Sequence, residues 1–248
     1  MAAHRFYAPQ ASRIGQTVAL PPGEAHQLRH VLRLRRDATV HAFDGRGREF
    51  VARVQAVDRD GVSIRTVEAV EPAREPAVDL ALALAVLKGR TTAAVVRDAT
   101  MLGARTIQPI TTARSPAGAA AAGLDRAVDR WQAIAIASAK QCRRAVVPAV
   151  RPPLPFAELV ARGPCGLGIM LVEPAIAAPH ASIRTVADQP PPARATIAVG
   201  PEGGWTDAEV EAAAGAGFRL LTLGSRTLRA AAAPAAALAI LQYVWGDL

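Results

Sequence analysis

Residues 80–87, Leu-Ala-Leu-Ala-Leu-Ala-Val-Leu, form an unbroken apolar run. A strand of this kind is apolar on both faces, and helices packed on both sides of a parallel sheet cover it. The next residues fit that requirement. A helical stretch at about 91–102 ends at Gly103, and a second strand follows at Thr106–Ile110. Strand, helix, strand predicts an α/β fold with a parallel sheet. A long helix is expected at roughly 124–142, with further strands at 166–172, 195–199 and 218–223. Thr206-Asp207-Ala208-Glu209 reads as a capping box, so a helix starts at about 207. Gly215 or Gly217 ends it. The last helix carries Pro234 in its first turn and runs to about Val244. The low-complexity run at 117–123 and the proline-rich stretch at 180–194 read as loops.

The N-terminal part has a different period. Thr39–Phe43, Glu49–Val54 and Val62–Val67 alternate or nearly alternate, and Asp44-Gly45-Arg46-Gly47 is a hairpin turn signal. Short strands with tight turns suggest a small β-barrel. Residues 24–33 form one short helix in this reading. The segment 68–78, with two prolines and mixed charge, is linker chemistry. The chain therefore divides into a small β domain, 1–72, and an α/β domain, 73–248.

The 248 residues carry a net charge of +8, almost all from arginine, since Lys88 and Lys140 are the only lysines. Arginine presents a planar fork of donors that suits phosphate. The balance favours a polyanion such as RNA; a solvated basic surface from arginine-biased codon usage is the alternative. Cys142 and Cys165 belong to no CxxC or Cys/His cluster, so neither zinc nor a structural disulfide is expected. No apolar stretch reaches spanning length, and the first residues lack the apolar core of a signal peptide. A cytoplasmic protein is expected.

Two glycine segments carry the chemistry. Val199-Gly200-Pro201-Glu202-Gly203-Gly204 and Leu223-Gly224-Ser225-Arg226-Thr227-Leu228-Arg229 each follow a predicted strand. Glycine there lets a ligand approach the main chain closely, and ligands of α/β sheets bind beyond strand carboxyl ends. Tight turns alone are the plainer reading. Neither G-x-G-x-x-G nor a P-loop is present.

Those two segments, the terminal Trp245-Gly246-Asp247-Leu248, the opening Arg5-Phe6-Tyr7, the 26–33 helix and Ala139–Arg144 together resemble the ribosomal RNA small-subunit methyltransferase E family. The resemblance spans almost the whole chain. It implies an N-terminal PUA-like β-barrel that helps hold RNA and a C-terminal SPOUT α/β domain with a deep trefoil knot. It also implies S-adenosylmethionine as cofactor, a homodimer, and methylation of N3 of a uridine in 16S ribosomal RNA of the small subunit. The cofactor would be held by Leu171, Val172, Glu173, Val199, Gly200, Glu202, Gly203, Leu223, Gly224 and Leu228. Its sulfonium carries an activated methyl, so the reaction requires no metal. N3 of uridine must lose a proton, so the protein has to align the base and stabilise developing negative charge. Arg229 is the catalytic candidate; a helix-entry salt bridge is its plainer role. Arg5, Tyr7, Arg29, Arg33 and Lys88 are candidates for RNA contact.

The chain also departs from the family pattern. Thr-Glu-Thr-Ala is usual after Leu228-Arg229, but Ala230–Ala233 stand here. An RNA-binding paralogue with weak or lost methyl transfer, or a SPOUT methyltransferase for another RNA, are the alternatives. Asp98 and Lys140 replace residues of opposite sign, which suggests an ion pair of swapped polarity.

Overall fold

The alternating N-terminal residues build a five-stranded sheet in the computed structural model, which describes residues 4–59, 61–116, 124–174 and 181–248. Its strands are β1 (Arg5–Tyr7), β2 (Thr17–Ala19), β3 (Thr39–Phe43), β4 (Glu49–Val57) and β5 (Val62–Val70). Their order is β1-β3-β4-β5-β2. β1 runs parallel to β3, and the other pairs are antiparallel. Helix α1 (Pro22–His26) continues through one π-helical turn, Gln27–Val31, and supplies Leu28 to the core. Phe6, Val18, Leu28, Val40, Phe50, Val54 and Ile64 form that core. The 24–33 helix thus starts earlier and ends earlier than its sequence signals indicate. β5 runs to Val70, so irregular chain begins at 71 rather than 68.

This unit comprises the described residues of Met1–Arg74 together with Ile136–Val147. The distant segment is held by specific bonds. Gly47 N–H donates to Ala145 O (3.1 Å) and Val147 N–H to Gly45 O (3.0 Å). The Arg5 guanidinium donates to both Glu49 oxygens (2.9 and 2.7 Å) and to the carbonyls of Ala139, Lys140 and Arg144. Lys140 Nζ donates to Glu24 (2.7 Å) and to Gln27. The expected Asp98–Lys140 pair is therefore corrected: Lys140 is engaged by Glu24 and Gln27, and Asp98 by Arg97 (3.0 Å).

In the second unit, Glu75–Ala135 and Pro148–Leu248, the apolar run becomes β6 (Asp79–Ala85). The chain continues through α2 (Thr91–Met101), β7 (Thr106–Thr111), α3 (Leu124–Cys142), β8 (Ala149–Val150), β9 (Leu154–Pro155), α4 (Phe156–Arg162) and β10 (Leu167–Leu171). It ends with β11 (Ala181–Ser182), β12 (Arg194–Val199), α5 (Asp207–Gly215), β13 (Phe218–Thr222) and α6 (Ala233–Val244). The last residues of α3 belong to the first unit. The sheet order is β11-β13-β10-β12-β6-β7-β8, with β9 also on β7, and every pairing is parallel.

Both faces of this sheet are buried, as the apolar run requires. α4 and α5 place Phe156, Leu159, Val210 and Ala213 over Ala83, Ala85, Met170 and Ala198. The alternate residues Leu82, Leu84, Ile169 and Ile197 are fully buried too. Gly103, at φ +87°, ends α2, and a Cβ there would lie 2.6 Å from Gln242 Nε2. That close approach lets Gln242 donate to Leu102 O (3.0 Å), tying α6 to the end of α2. The capping box forms, with Thr206 and Glu209 bonded reciprocally. β8, β9 and α4 lacked a clear period and were not expected. The 180–194 loop is corrected over its described part, where β11 and a 3₁₀ turn, Ile183–Val186, occur. The expected 117–123 loop lies outside the described residues.

Arg5 and Glu49 side chains are only 9% and 7% exposed. Burial alone would raise the Glu49 carboxyl. Hydrogen bonds and charge from Arg5, joined by His41 Nδ1 at 3.0 Å, overcome that and hold it below its ordinary value. A lowered native pKa contributes stability that is present above the unfolded carboxylate pKa and lost as pH falls through the native one. Glu49→Gln is expected to cost about 3–5 kcal/mol near neutral pH, since it strands a buried guanidinium. The gap between the melting curves of the two proteins should narrow progressively as pH falls below about 4; a gap independent of pH would contradict this account.

Candidate functional site

Because the large sheet is parallel, the carboxyl ends of adjacent strands β13, β10 and β12 open at one edge. A pocket of about 550 Å³ lies there. Its walls come from Leu171–Pro174 after β10, Val199–Trp205 (all but Gly203) after β12, and the segment after β13 between Leu223 and Ala233. Thr91, from the start of α2, completes it. The strand ends are buried, whereas Glu173, Glu202, Arg226 and Arg229 are exposed at the opening.

Four side chains brace the main chain of this pocket and of the turns beside it. Trp205 is 3% exposed, and its indole N–H donates to Leu171 O (2.9 Å). The ring also abuts Gly200, where a Cβ would lie 2.8 Å from Trp205 Cε2. One indole thus spans the ends of β10 and β12. Only glycine at 200 permits this contact. Arg114 donates through one nitrogen to Gly203 O (2.9 Å) and Trp205 O (3.1 Å). Glu202 accepts from Lys88 N–H (3.1 Å), which joins the chain after β6 to the same turn. Glu209, besides closing its capping box, accepts from Ala113 N–H (2.9 Å).

Among the expected cofactor residues, Leu171, Val172, Glu173, Val199, Gly200, Glu202, Leu223 and Leu228 line one pocket, as does Arg229. Gly203 and Gly224 do not. Gly203 presents its carbonyl to Arg114, and Gly224 turns the chain at φ +107°. Leu171 lines the pocket, but its carbonyl is already committed to Trp205. Thr91, Pro174 and Trp205 were not anticipated. An aromatic residue directly after Gly203-Gly204 was the one available signal for Trp205; Thr91 and Pro174 gave none.

The RNA candidates lie in different surroundings. Arg5 is corrected: its guanidinium is buried against Glu49 and three carbonyls, and stacks 4.6 Å over Phe43. Tyr7 is half-buried beside Phe43; burial raises its phenol above the usual value, an effect Arg46 opposes and Asp44 reinforces. Arg29 donates to Asp58 O (2.7 Å). Arg33, at φ +53°, and Lys88 are exposed.

The chain is similar to known proteins over nearly its whole length. A family model described as an RNA methyltransferase domain matches residues 74–242, and one described as an RNA methyltransferase PUA domain matches 20–67. The ribosomal RNA small subunit methyltransferase E of Synechocystis is 33% identical over 243 residues, which cover 96% of this chain and 76% of that protein. The Bacillus subtilis protein of the same name is 28% identical, with 92% and 90% covered. A crystal structure of a ribosomal RNA small subunit methyltransferase E from Neisseria gonorrhoeae, bound to S-adenosyl methionine, superposes with a TM-score of 0.88 at 29% identity over 100% of both chains.

The indole bond gives a direct test of the brace. Trp205→Phe keeps an aromatic ring beside Phe156, 4.8 Å away, but cannot donate to Leu171 O. The orphaned buried carbonyl is expected to cost about 1–3 kcal/mol, measured by urea denaturation; unchanged stability would show that the bond contributes nothing.

Proposed function

We propose, from the premise that the chain belongs to the ribosomal RNA small-subunit methyltransferase E family, that it methylates N3 of a uridine in the 16S RNA of the small subunit, with S-adenosylmethionine as donor. One observation carries the reading: three adjacent strand ends and the 223–233 segment enclose a pocket that combines bare main chain, two carboxylates and two arginines. The N-terminal domain is PUA-like, and the fold is that of the family's structures.

The residues present fit the donor. The volume lies within the range of small-molecule sites, about 300–1,000 Å³. Gly200 and Val199 offer main chain to a flat base. Glu173 and Glu202 offer oxygens to hydroxyls or an amino group. S-adenosylmethionine supplies, when bound, a methyl group already activated on sulfur. The task of the protein is then placement, and a fixed geometry lowers the barrier by removing the entropy of encounter. Trp205, Arg114 and Lys88 N–H supply that fixity by bracing the loops in advance. Arg229 stands exposed at the pocket wall, where it can hold a uracil oxygen or a phosphate and stabilise the charge left as N3 loses its proton.

Ala230, Ala231 and Ala233 line the same pocket. Ala230 and Ala231 present methyl groups where the family resemblance has a hydroxyl and a carboxylate, while alanine at 233 matches the family pattern. This favours a second reading, a binding protein with weak turnover.

Three further features belong to the proposal. A deep trefoil knot is supported by the placement of β12 between β10 and β6, of β13 on the far side of β10, and of α6 against α2. A homodimer is supported by the exposed Met101, Tyr243 and Leu248 on α2, α6 and the C-terminus. A cytoplasmic location follows from the substrate; among the described residues no helix is long and apolar enough to cross a membrane.

Calorimetry is expected to show S-adenosylmethionine binding, and mass spectrometry to show N3-methyluridine formed on undermethylated small subunits. Arg229→Ala should lower the transfer rate about 100-fold while leaving donor affinity nearly unchanged. Donor binding without transfer to any RNA would establish the second reading instead. Light scattering should give twice the 25.9 kDa chain mass, and Tyr243→Asp should yield the monomer.

A further inference from the structure

The outer face of the N-terminal sheet carries an arrangement that folding alone does not favour. Arg53 on β4 lies directly opposite Arg65 on β5. Thr39 on β3 pairs with Arg53 on its other side, and Thr17 on β2 pairs with Arg65. The four residues form one row across four strands, and all four are exposed. Their sequence neighbours Val40, Ala52, Val54, Ile64 and Val18 point the other way, into the core.

Like charges directly opposite on adjacent strands destabilise a sheet. Native sheets commonly answer this with a nearby carboxylate. None does so here. Glu68, opposite Val51 on the adjoining row, forms no ion pair with either arginine, and neither arginine has a hydrogen-bond partner among the described residues. This sets the pair apart from Arg5, whose guanidinium is neutralised by Glu49. Two unneutralised guanidinium forks, flanked by two hydroxyls, complement an anion lying across the strands.

We propose that the Thr39–Arg53–Arg65–Thr17 row grips the sugar-phosphate backbone of RNA. The inference rests on the reading of the chain as an RNA methyltransferase and adds a docking surface outside its pocket. Phosphate contacts of this kind fix register and orientation without reading bases. The row therefore anchors the RNA and leaves choice of the nucleotide to the pocket. The repulsion between the arginines is relieved when a phosphate lies between them, so the free protein holds the cost and the complex removes it.

The test is the double variant Arg53→Thr/Arg65→Thr, which keeps strand-forming residues in place. A transcript of small-subunit ribosomal RNA serves as the probe, with binding read by fluorescence anisotropy over a range of salt concentrations. Affinity is expected to fall about tenfold near physiological salt, and the slope of log K against log salt to flatten by about 1.4 to 1.8, the loss of two phosphate contacts. The melting temperature should hold or rise, because a like-charge pair is gone. Arg53→Lys/Arg65→Lys should retain most of the affinity. S-adenosylmethionine binding, measured in parallel, should stay at the parental value; its absence in the parent would overturn the methyltransferase reading, a separate failure. Parental affinity and slope in the threonine variant would overturn the proposal. So would a defect confined to assembled subunits with naked RNA bound normally, which would place an acidic ribosomal protein on this row.

Discussion

The second unit depends on one requirement: strands apolar on both faces must be covered on both faces. β6 and β12 meet it by pairing in parallel at the centre of the sheet, with α4 and α5 over one set of side chains and the alternate set equally buried. Parallel order has a geometric consequence. Every strand ends at the same edge, so the turns after β10, β12 and β13 converge. The pocket is what those converging turns leave between them. Its position follows from burial, not from any residue that contacts a ligand.

A pocket made of turns needs internal support, since turns lack the ladders that hold strands. Here the support comes from side chains bonded to main chain. Trp205 reaches Leu171 O, Arg114 reaches two carbonyls, and Glu202 takes Lys88 N–H. Each bond removes freedom before a ligand arrives, and preorganisation of this kind reduces the entropy lost on binding. Glycine at 200 serves the brace as much as the ligand. Its missing Cβ makes room for the indole.

Arginine has two opposite physical roles in the N-terminal unit. Arg5 is buried, bidentate to Glu49 and bonded to the carbonyls of 139, 140 and 144, and so holds a distant segment in place. Arg53 and Arg65 are exposed, face each other and pair with no carboxylate among the described residues. The same residue type is structural where its charge is matched internally and available to a polyanion where it is not. Composition reports the sum of both kinds and cannot separate them.

The sequence by itself determined the elements with strong local signals. The apolar run at 80–87, the 124–142 helix, the Thr206–Glu209 cap and Pro234 at the start of α6 depend on period, capping and proline geometry within one segment, and all appear where those signals lie. The two glycine segments likewise marked the turns that line the pocket. Tertiary structure alone decided the rest, because it turns on residues far apart in the chain. β8, β9 and α4 are short and take their form from β7 and α5 beside them. Arg5 could not be told from a surface arginine without Glu49 beside it. Lys140 meets Glu24 rather than Asp98, and Gly203 turns its carbonyl to Arg114 instead of the pocket. Local conformation is written in neighbouring residues, whereas partner choice for a long polar side chain is set by which strands the fold brings together.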